Sequence, residues 1–169
     1  MIINKTWCMP NKHTFDIKPI GELIQRHIPS TGVTVDPFAN KSRLCAVTND
    51  LDPQYDTTCN MDALSFLQTL ETGSVDFLLY DPPYSPRQVS ECYKALSYTV
   101  NMKTTQSSFW GNLKKEIARV MKKDGKVISF GWNSNGIGKT LGFEQVEILM
   151  VAHGGHHNDT ICTVEVKKI

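Results

Sequence analysis

With 169 residues, 40% hydrophobic and 21% charged, the chain is long enough for one compact domain with a substantial core, and its composition excludes a disordered or fibrous protein. Its formal net charge of +1 excludes a surface that is basic throughout, so any nucleic-acid footprint must be local. The five cysteines (Cys8, Cys45, Cys59, Cys92 and Cys162) are odd in number, widely spaced and form no C-x-x-C pair, which argues against a disulfide framework or a cysteine zinc site. No apolar run approaches the ~18 residues of a membrane span. Met1 to Trp7 lacks the basic and then apolar pattern of a signal peptide, so the expected compartment is the cytoplasm.

Residues 1–30 open with irregular, polar sequence, and a helix follows over Lys18 to His27. Ile20, Leu23, Ile24 and His27 or Ile28 share one of its faces, and Pro29-Ser30-Thr31-Gly32 breaks it. Val33-Thr34-Val35 reads as a short strand ending at Asp36-Pro37, and Leu44 to Thr48 as a second one. A helix is expected over Ala63 to Leu70. Val75 to Tyr80 is apolar enough for a central buried strand, and it runs straight into Asp81-Pro82-Pro83-Tyr84. From Ser85 to Ser107 the chain is polar, with a modest helical pattern near Arg87 to Leu96. Ser107 or Ser108 caps the clearest helix, whose stripe is Trp110, Leu113, Ile117, Val120 and Met121; Lys122-Lys123-Asp124-Gly125 ends it. Lys126 to Phe130, Phe143 to Val151 and Thr160 to Val166 read as three more strands.

This alternation predicts an α/β fold: a mostly parallel, twisted sheet with helices on both faces, in a single domain over 1–169. The last two strands have no helix between them and should form a C-terminal antiparallel hairpin. Ligands of such sheets bind outside the carboxyl ends of the strands, which would gather the segments after Val35, Thr48, Leu79, Phe130 and Val151.

Asp81-Pro82-Pro83-Tyr84 has a specific chemical use. An aromatic amine is a poor nucleophile because its lone pair is delocalised into the ring. Accepting hydrogen bonds from both of its N–H groups draws the nitrogen toward tetrahedral geometry and frees that pair. Asp81 offers a side-chain acceptor and the Pro82 carbonyl a second. The prolines stiffen the loop and withhold donors, and Tyr84 can stack on an extruded base.

The tetrapeptide, set in this order of elements, resembles the amino-methyltransferases of adenine N6 and cytosine N4, whose motif is (D/N/S)-P-P-(Y/F/W). It is most similar to small phage- or prophage-type adenine-specific DNA methyltransferases. The resemblance implies a Rossmann-like methyltransferase fold, S-adenosyl-L-methionine as cofactor, flipped adenine in DNA as substrate, and a bacterial or phage-infected cell. The Asp form of the motif points to adenine more than to cytosine. RNA, a protein glutamine, or a catalytically silent cofactor-binding module are the alternatives. No separate target-recognition domain is expected, so short loops, a homodimer or a partner protein would supply target recognition.

Val33 to Ala39 is similar to the group's D-P-F-x-G-x-G cofactor motif: Asp36, Pro37 and Phe38 match, while Asn40 and Ser42 stand where glycines are usual. Asn tolerates a left-handed backbone, so Asn40 can replace the first glycine. The resemblance assigns the ribose hydroxyls to Asp50, with Asp52 second, and the cofactor adenine to Asp62 with Ala63 beside it. Phe15, Asp16 and Ile17 resemble the segment that closes over the cofactor.

Catalysis then falls to Asp81, Pro82, Pro83 and Tyr84, and substrate contacts to Ser85, Arg87, Trp132, His156 and Asn158. Lys94, Lys103, Lys41 and Arg43 are further phosphate candidates. Gly136-Ile137-Gly138-Lys139-Thr140 is not a phosphate loop, because Asn133 stands where the Walker pattern needs glycine. The three histidines of His153-Gly154-Gly155-His156-His157 leave open a metal, a target-facing loop or a plain hairpin turn. The proposed chemistry itself needs no metal.

Overall fold

The computed structural model describes residues 1–96 and 107–169. Lys103 lies outside the described residues. Val75 to Tyr80 forms β4, as its apolar run predicts. Phe77 and Leu79 join one core cluster while Val75, Leu78 and Tyr80 join the other, so β4 is covered on both faces. Around it lie β1 (Ile2–Trp7), β2 (Thr34–Asp36), β3 (Val47–Thr48), β5 (Met121–Gly131), β6 (Phe143–Ala152) and β7 (Thr160–Lys167). Together they make one seven-stranded sheet in the order β1-β6-β7-β5-β4-β2-β3. Only β7 runs against the rest, pairing antiparallel with both β5 and β6 as the hairpin reading requires.

The helices are α1 (Lys18–His27), α2 (Ala63–Thr69), α3 (Pro86–Ala95) and α4 (Ser107–Val120). On one face α1 buries Ile20, Leu23 and Ile24 against Phe77, Leu79 and Ile128. On the other, Phe66 and Leu67 of α2, Val89 of α3 and Leu113 and Ile117 of α4 cover Val35, Leu78 and Val127. These stripes recur at three- and four-residue spacing, the signature read from the sequence. At the end of α1, Arg26 and His27 both bind Glu147 of β6, at 2.6 and 2.7 Å. No helix among the described residues is long and apolar enough to cross a membrane.

Three expectations are corrected. The opening residues are not irregular: Ile2–Trp7 pairs in parallel with Glu147–Ala152 at the sheet margin. Ile2 and Trp7 stay 58% and 61% exposed, so no buried alternation announced the strand. The second strand shrinks from Leu44–Thr48 to Val47–Thr48 because the preceding residues serve the loop instead. Lys122–Gly125 belongs to β5 rather than to a helix end: Met121 pairs with Val75, then the register shifts and Lys126 pairs with Phe77. The bulge between them turns on Asp124, at φ 64°, and on Gly125, where a Cβ would lie 2.9 Å from the Lys122 carbonyl.

The chain runs from β2 outward to β3, then crosses back to β4 on the other side of β2. The strand order therefore reverses between β2 and β4, and a crevice opens there at the carboxyl ends of the strands.

Candidate active site

That crevice is a cavity of about 1000 Å³. Its wall brings together the residues after β2 (Pro37, Phe38, Asn40), after β3 (Asp50), after β4 (Asp81 to Tyr84), after β5 (Trp132) and after β6 (Asn158). Phe15, Asp16 and Ile17 join them from the 3-10 turn Thr14–Asp16 and its end, together with Ala63 at the start of α2.

The loop after β2 keeps its shape without the usual glycines. Asn40 adopts φ 50°, the left-handed conformation expected of it. Its N–H donates to Asp50 Oδ2 at 2.8 Å, and its carbonyl accepts from Arg43 at 2.9 Å. Asp50 Oδ1 accepts from Asp52 N–H at 2.9 Å, so both carboxylate oxygens of Asp50 brace backbone turns while the residue lines the cavity. Burial raises the Asp50 carboxyl above its ordinary value against those bonds.

Asp36, the last residue of β2, is wholly buried behind the wall rather than in it. Its Oδ1 accepts from Phe38 N–H at 3.1 Å, and its Oδ2 is a buried atom without a hydrogen-bond partner among the described residues. Burial first, then the charges of Asp81 and Asp50, push this carboxyl up to about 8. At neutral pH Asp36 is therefore a neutral acid.

Asn49 is the residue that sequence reasoning missed here. Fully buried, it donates to the Pro37 carbonyl at 3.1 Å and the Met61 carbonyl at 3.0 Å, and accepts from Met61 N–H at 3.2 Å. One amide thus ties the loops after β2 and β3 to the entry of α2. No sequence pattern marked it: Asn49 stands between Thr48 and Asp50 at the end of the second strand.

Asp62 does not reach the cavity. It caps α2, accepting from Leu64 N–H at 3.0 Å and Ser65 N–H at 3.1 Å, and its other oxygen takes the Tyr93 hydroxyl at 2.5 Å. Tyr93 and Ala63 line the wall beside it.

In the central loop, Pro82 is buried and Asp81 half-buried. Asp81 Oδ1 accepts the Tyr84 hydroxyl. Burial raises the Asp81 carboxyl, opposed by hydrogen bonds from Tyr84 and Thr14. Burial and the neighbouring Asp81 charge push the Tyr84 phenol above its ordinary value. The Tyr84 ring meets Trp132 edge-on, with centroids 5.6 Å apart at 69°. Gln88 accepts Tyr84 N–H at 2.6 Å, and Trp110 donates to the Pro83 carbonyl at 3.0 Å. Neither was anticipated.

The remaining substrate candidates divide. Ser85 lies off the wall and caps α3, accepting from Gln88 N–H at 3.2 Å. Arg87 points away, exposed and paired with Glu91 at 2.8 Å. His156 is exposed and off the wall, whereas His157 and Asn158 line it. His153 is buried between the Cys8 carbonyl at 2.9 Å and the Thr160 hydroxyl at 2.8 Å, joining the start of the chain to the hairpin. No group of three His, Cys, Asp or Glu side chains among the described residues is placed to hold a metal ion.

The fold defined by this sheet and crevice is that of the Rossmann-like methyltransferases. The chain is similar to the 1,6-didemethyltoxoflavin-N1-methyltransferase of Burkholderia thailandensis, solved with 1,6-didemethyltoxoflavin and S-adenosylhomocysteine, at TM-score 0.61 and 12% identity over 90% of this chain and 78% of that one. The N-methyltransferase NodS of Bradyrhizobium japonicum matches at TM-score 0.57 and 10% identity over 95% of this chain and 100% of that one. TrmN of Thermus thermophilus matches at 0.56 and 16% identity over 89% of this chain and 49% of that one. No protein-family model matches the sequence, and no curated protein matches it.

Proposed function

We propose that the chain is an S-adenosylmethionine-dependent methyltransferase acting on the exocyclic N6 amine of adenine in DNA. The observation that carries this reading is Asp81-Pro82-Pro83-Tyr84, set at the end of the central strand in the same cavity as Asp50, Asn40 and Ala63. The cavity suits that cofactor chemically. It is lined by Asp16, Asp50 and Asp81, whose carboxyl oxygens could face ribose hydroxyls and a sulfonium centre, with Lys41 and Arg43 also on the wall. Asp50 and Ala63 would hold the nucleoside, and the Pro37–Asn40 turn the methionine moiety.

When bound, the cofactor would supply an electrophilic methyl group, its carbon–sulfur bond breaking with the electron pair left on sulfur as the nitrogen–carbon bond forms. The methylated amine would then give up one N–H proton through Asp81 to water. The rest falls to this chain's residues. Asp81 and the Pro82 carbonyl accept the two N–H bonds of the amine, so its lone pair points at the methyl group. Tyr84 stacks on the base, with Trp132 at its edge. The amine takes the place of the Tyr84 hydroxyl on Asp81 as the base enters. Catalysis is mostly positioning and hydrogen-bond polarisation. Lys41 and Arg43, exposed at the mouth, meet phosphates, and a second copy or a partner protein supplies target recognition.

The test is transfer of labelled methyl groups to unmethylated DNA, with RNA and a glutamine-containing protein as competitors. DNA should win, and the product should be N6-methyladenine. Asp81→Ala should lose about 100-fold or more in kcat while cofactor affinity by calorimetry stays close to wild type. Full activity in that variant would sink the mechanism. Preferred transfer to RNA or glutamine would reassign the substrate, and cofactor binding without transfer to any of the three would make the protein a silent module.

A further inference from the structure

The two unanticipated contacts of the central loop converge on one peptide group. Trp110 Nε1–H donates to the carbonyl of Pro83 at 3.0 Å, and Gln88 Oε1 accepts the N–H of Tyr84 at 2.6 Å. That carbonyl and that N–H belong to the same planar unit, the Pro83–Tyr84 peptide. It is held at one end from α4 and at the other from α3.

The rest of the loop has little freedom left. The proline rings fix φ at Pro82 and Pro83. Pro82 precedes a proline, which confines it to extended geometry. The open variable is the rotation of the Pro83–Tyr84 plane, and the two side chains remove it. That rotation sets where the Tyr84 ring lies relative to the Pro82 carbonyl, whose own direction the two prolines confine. Among the described residues, no hydrogen bond is made to the Pro82 carbonyl, so it is left as an acceptor. Gln88 is itself placed by the Ser85 cap at 3.2 Å. Trp110 does not line the cavity and acts from behind the loop.

We propose that Trp110 and Gln88 are positioning residues for amine methylation: a peptide clamp that presents the Pro82 carbonyl and the Tyr84 ring to the substrate. This rests on the methyltransferase reading above. The clamp changes the orientation of the reacting amine, not cofactor binding, so it should appear in kcat.

The experiment compares wild type with Trp110→Phe, Gln88→Leu, Gln88→Glu and the Trp110→Phe/Gln88→Leu double variant. The readouts are kcat, KM, cofactor affinity by calorimetry and melting temperature. Trp110→Phe keeps an aromatic ring but loses the donor; it and Gln88→Leu should each lower kcat about tenfold or more, with cofactor affinity unchanged. Gln88→Glu keeps an acceptor oxygen and should restore most of the rate. Because both side chains act on one peptide, the double variant should lose little more than either single change.

A second readout is independent of turnover. In ¹⁵N-labelled protein the Trp110 indole N–H should exchange slowly, and its signal should move in Gln88→Leu. Wild-type rates in both single variants, a loss confined to KM, or fast indole exchange would overturn the clamp while leaving the function intact. A wild-type protein that methylates no amine would instead overturn the function, and the catalytic role of the clamp with it.

Discussion

Asp36 is a carboxylic acid held without its charge. Its ordinary value is 3.8 and the fold moves it to about 8, so the native state keeps a proton that the unfolded chain releases at neutral pH. Its contribution to stability is fully present below 3.8 and is lost as pH rises toward 8. Asp36→Asn substitutes a permanently neutral group of the same shape. Urea unfolding across this range should show wild type losing stability relative to Asp36→Asn up to about pH 8 and then running parallel to it. Parallel curves throughout would mean that Asp36 stays ionised. At this scale the sequence was informative on the placing of Asp81-Pro82-Pro83-Tyr84 straight after the central strand and on Asn40 in a left-handed turn. It was silent on Asn49, Gln88 and Trp110. Their partners lie 12 residues away for Asn49 with the Pro37 carbonyl and 27 for Trp110 with the Pro83 carbonyl, and for Gln88 the partner is a backbone N–H that no side-chain pattern marks.

At the scale of elements, legibility followed burial. β4 could be read from its continuous apolar run, since both of its faces are buried, and α1 and α4 from their stripes, since burying one face imposes a period on the sequence. β1 could not, since it contributes main-chain pairing at the margin and buries almost nothing. β3 was overestimated because residues apolar enough for a strand, Leu44 and Cys45, pack into the core on the α1 face of the sheet instead. The docking of α1 on β6 is fixed by Glu147, which is 5% exposed. Burial alone would raise its carboxyl, but the hydrogen bonds and charges of His27 and Arg26 hold it below the ordinary 4.5. Its contribution is therefore present above pH 4.5 and lost in more acidic solution. Glu147→Ala leaves His27 and Arg26 without their acceptor. Because Arg26 is half-exposed, the expected loss is about 2 kcal/mol, below the range for fully buried pairs. Denaturant midpoints of wild type and variant should stay apart at pH 7 and converge as the pH falls well below 4.5; a gap that stays constant through that range would rule out the ion pair as the cause.

For the whole molecule, one sheet directs its successive loops to a single rim, and the resulting cavity can be addressed chemically. Cys92 is exposed and lines that cavity, whereas Cys45 and Cys162 are buried; burial pushes all three thiols above the ordinary value, so accessibility sets the difference between them. A thiol reagent should modify Cys92 in the native protein and reach Cys45 and Cys162 only on unfolding. Bound S-adenosylmethionine should slow the reaction at Cys92, and mass spectrometry of the modified protein checks both statements. An unchanged rate at Cys92 would place the cofactor away from this part of the wall. The sheet's polarity has one more consequence. β1 begins, and the reversed β7 finishes, on the side of the sheet opposite the rim. Both chain ends therefore hang at the back of the molecule. A purification tag or fused module joined to either end would leave the mouth clear. A module tethered to either end would need a linker long enough to pass around the body before it could reach the cavity.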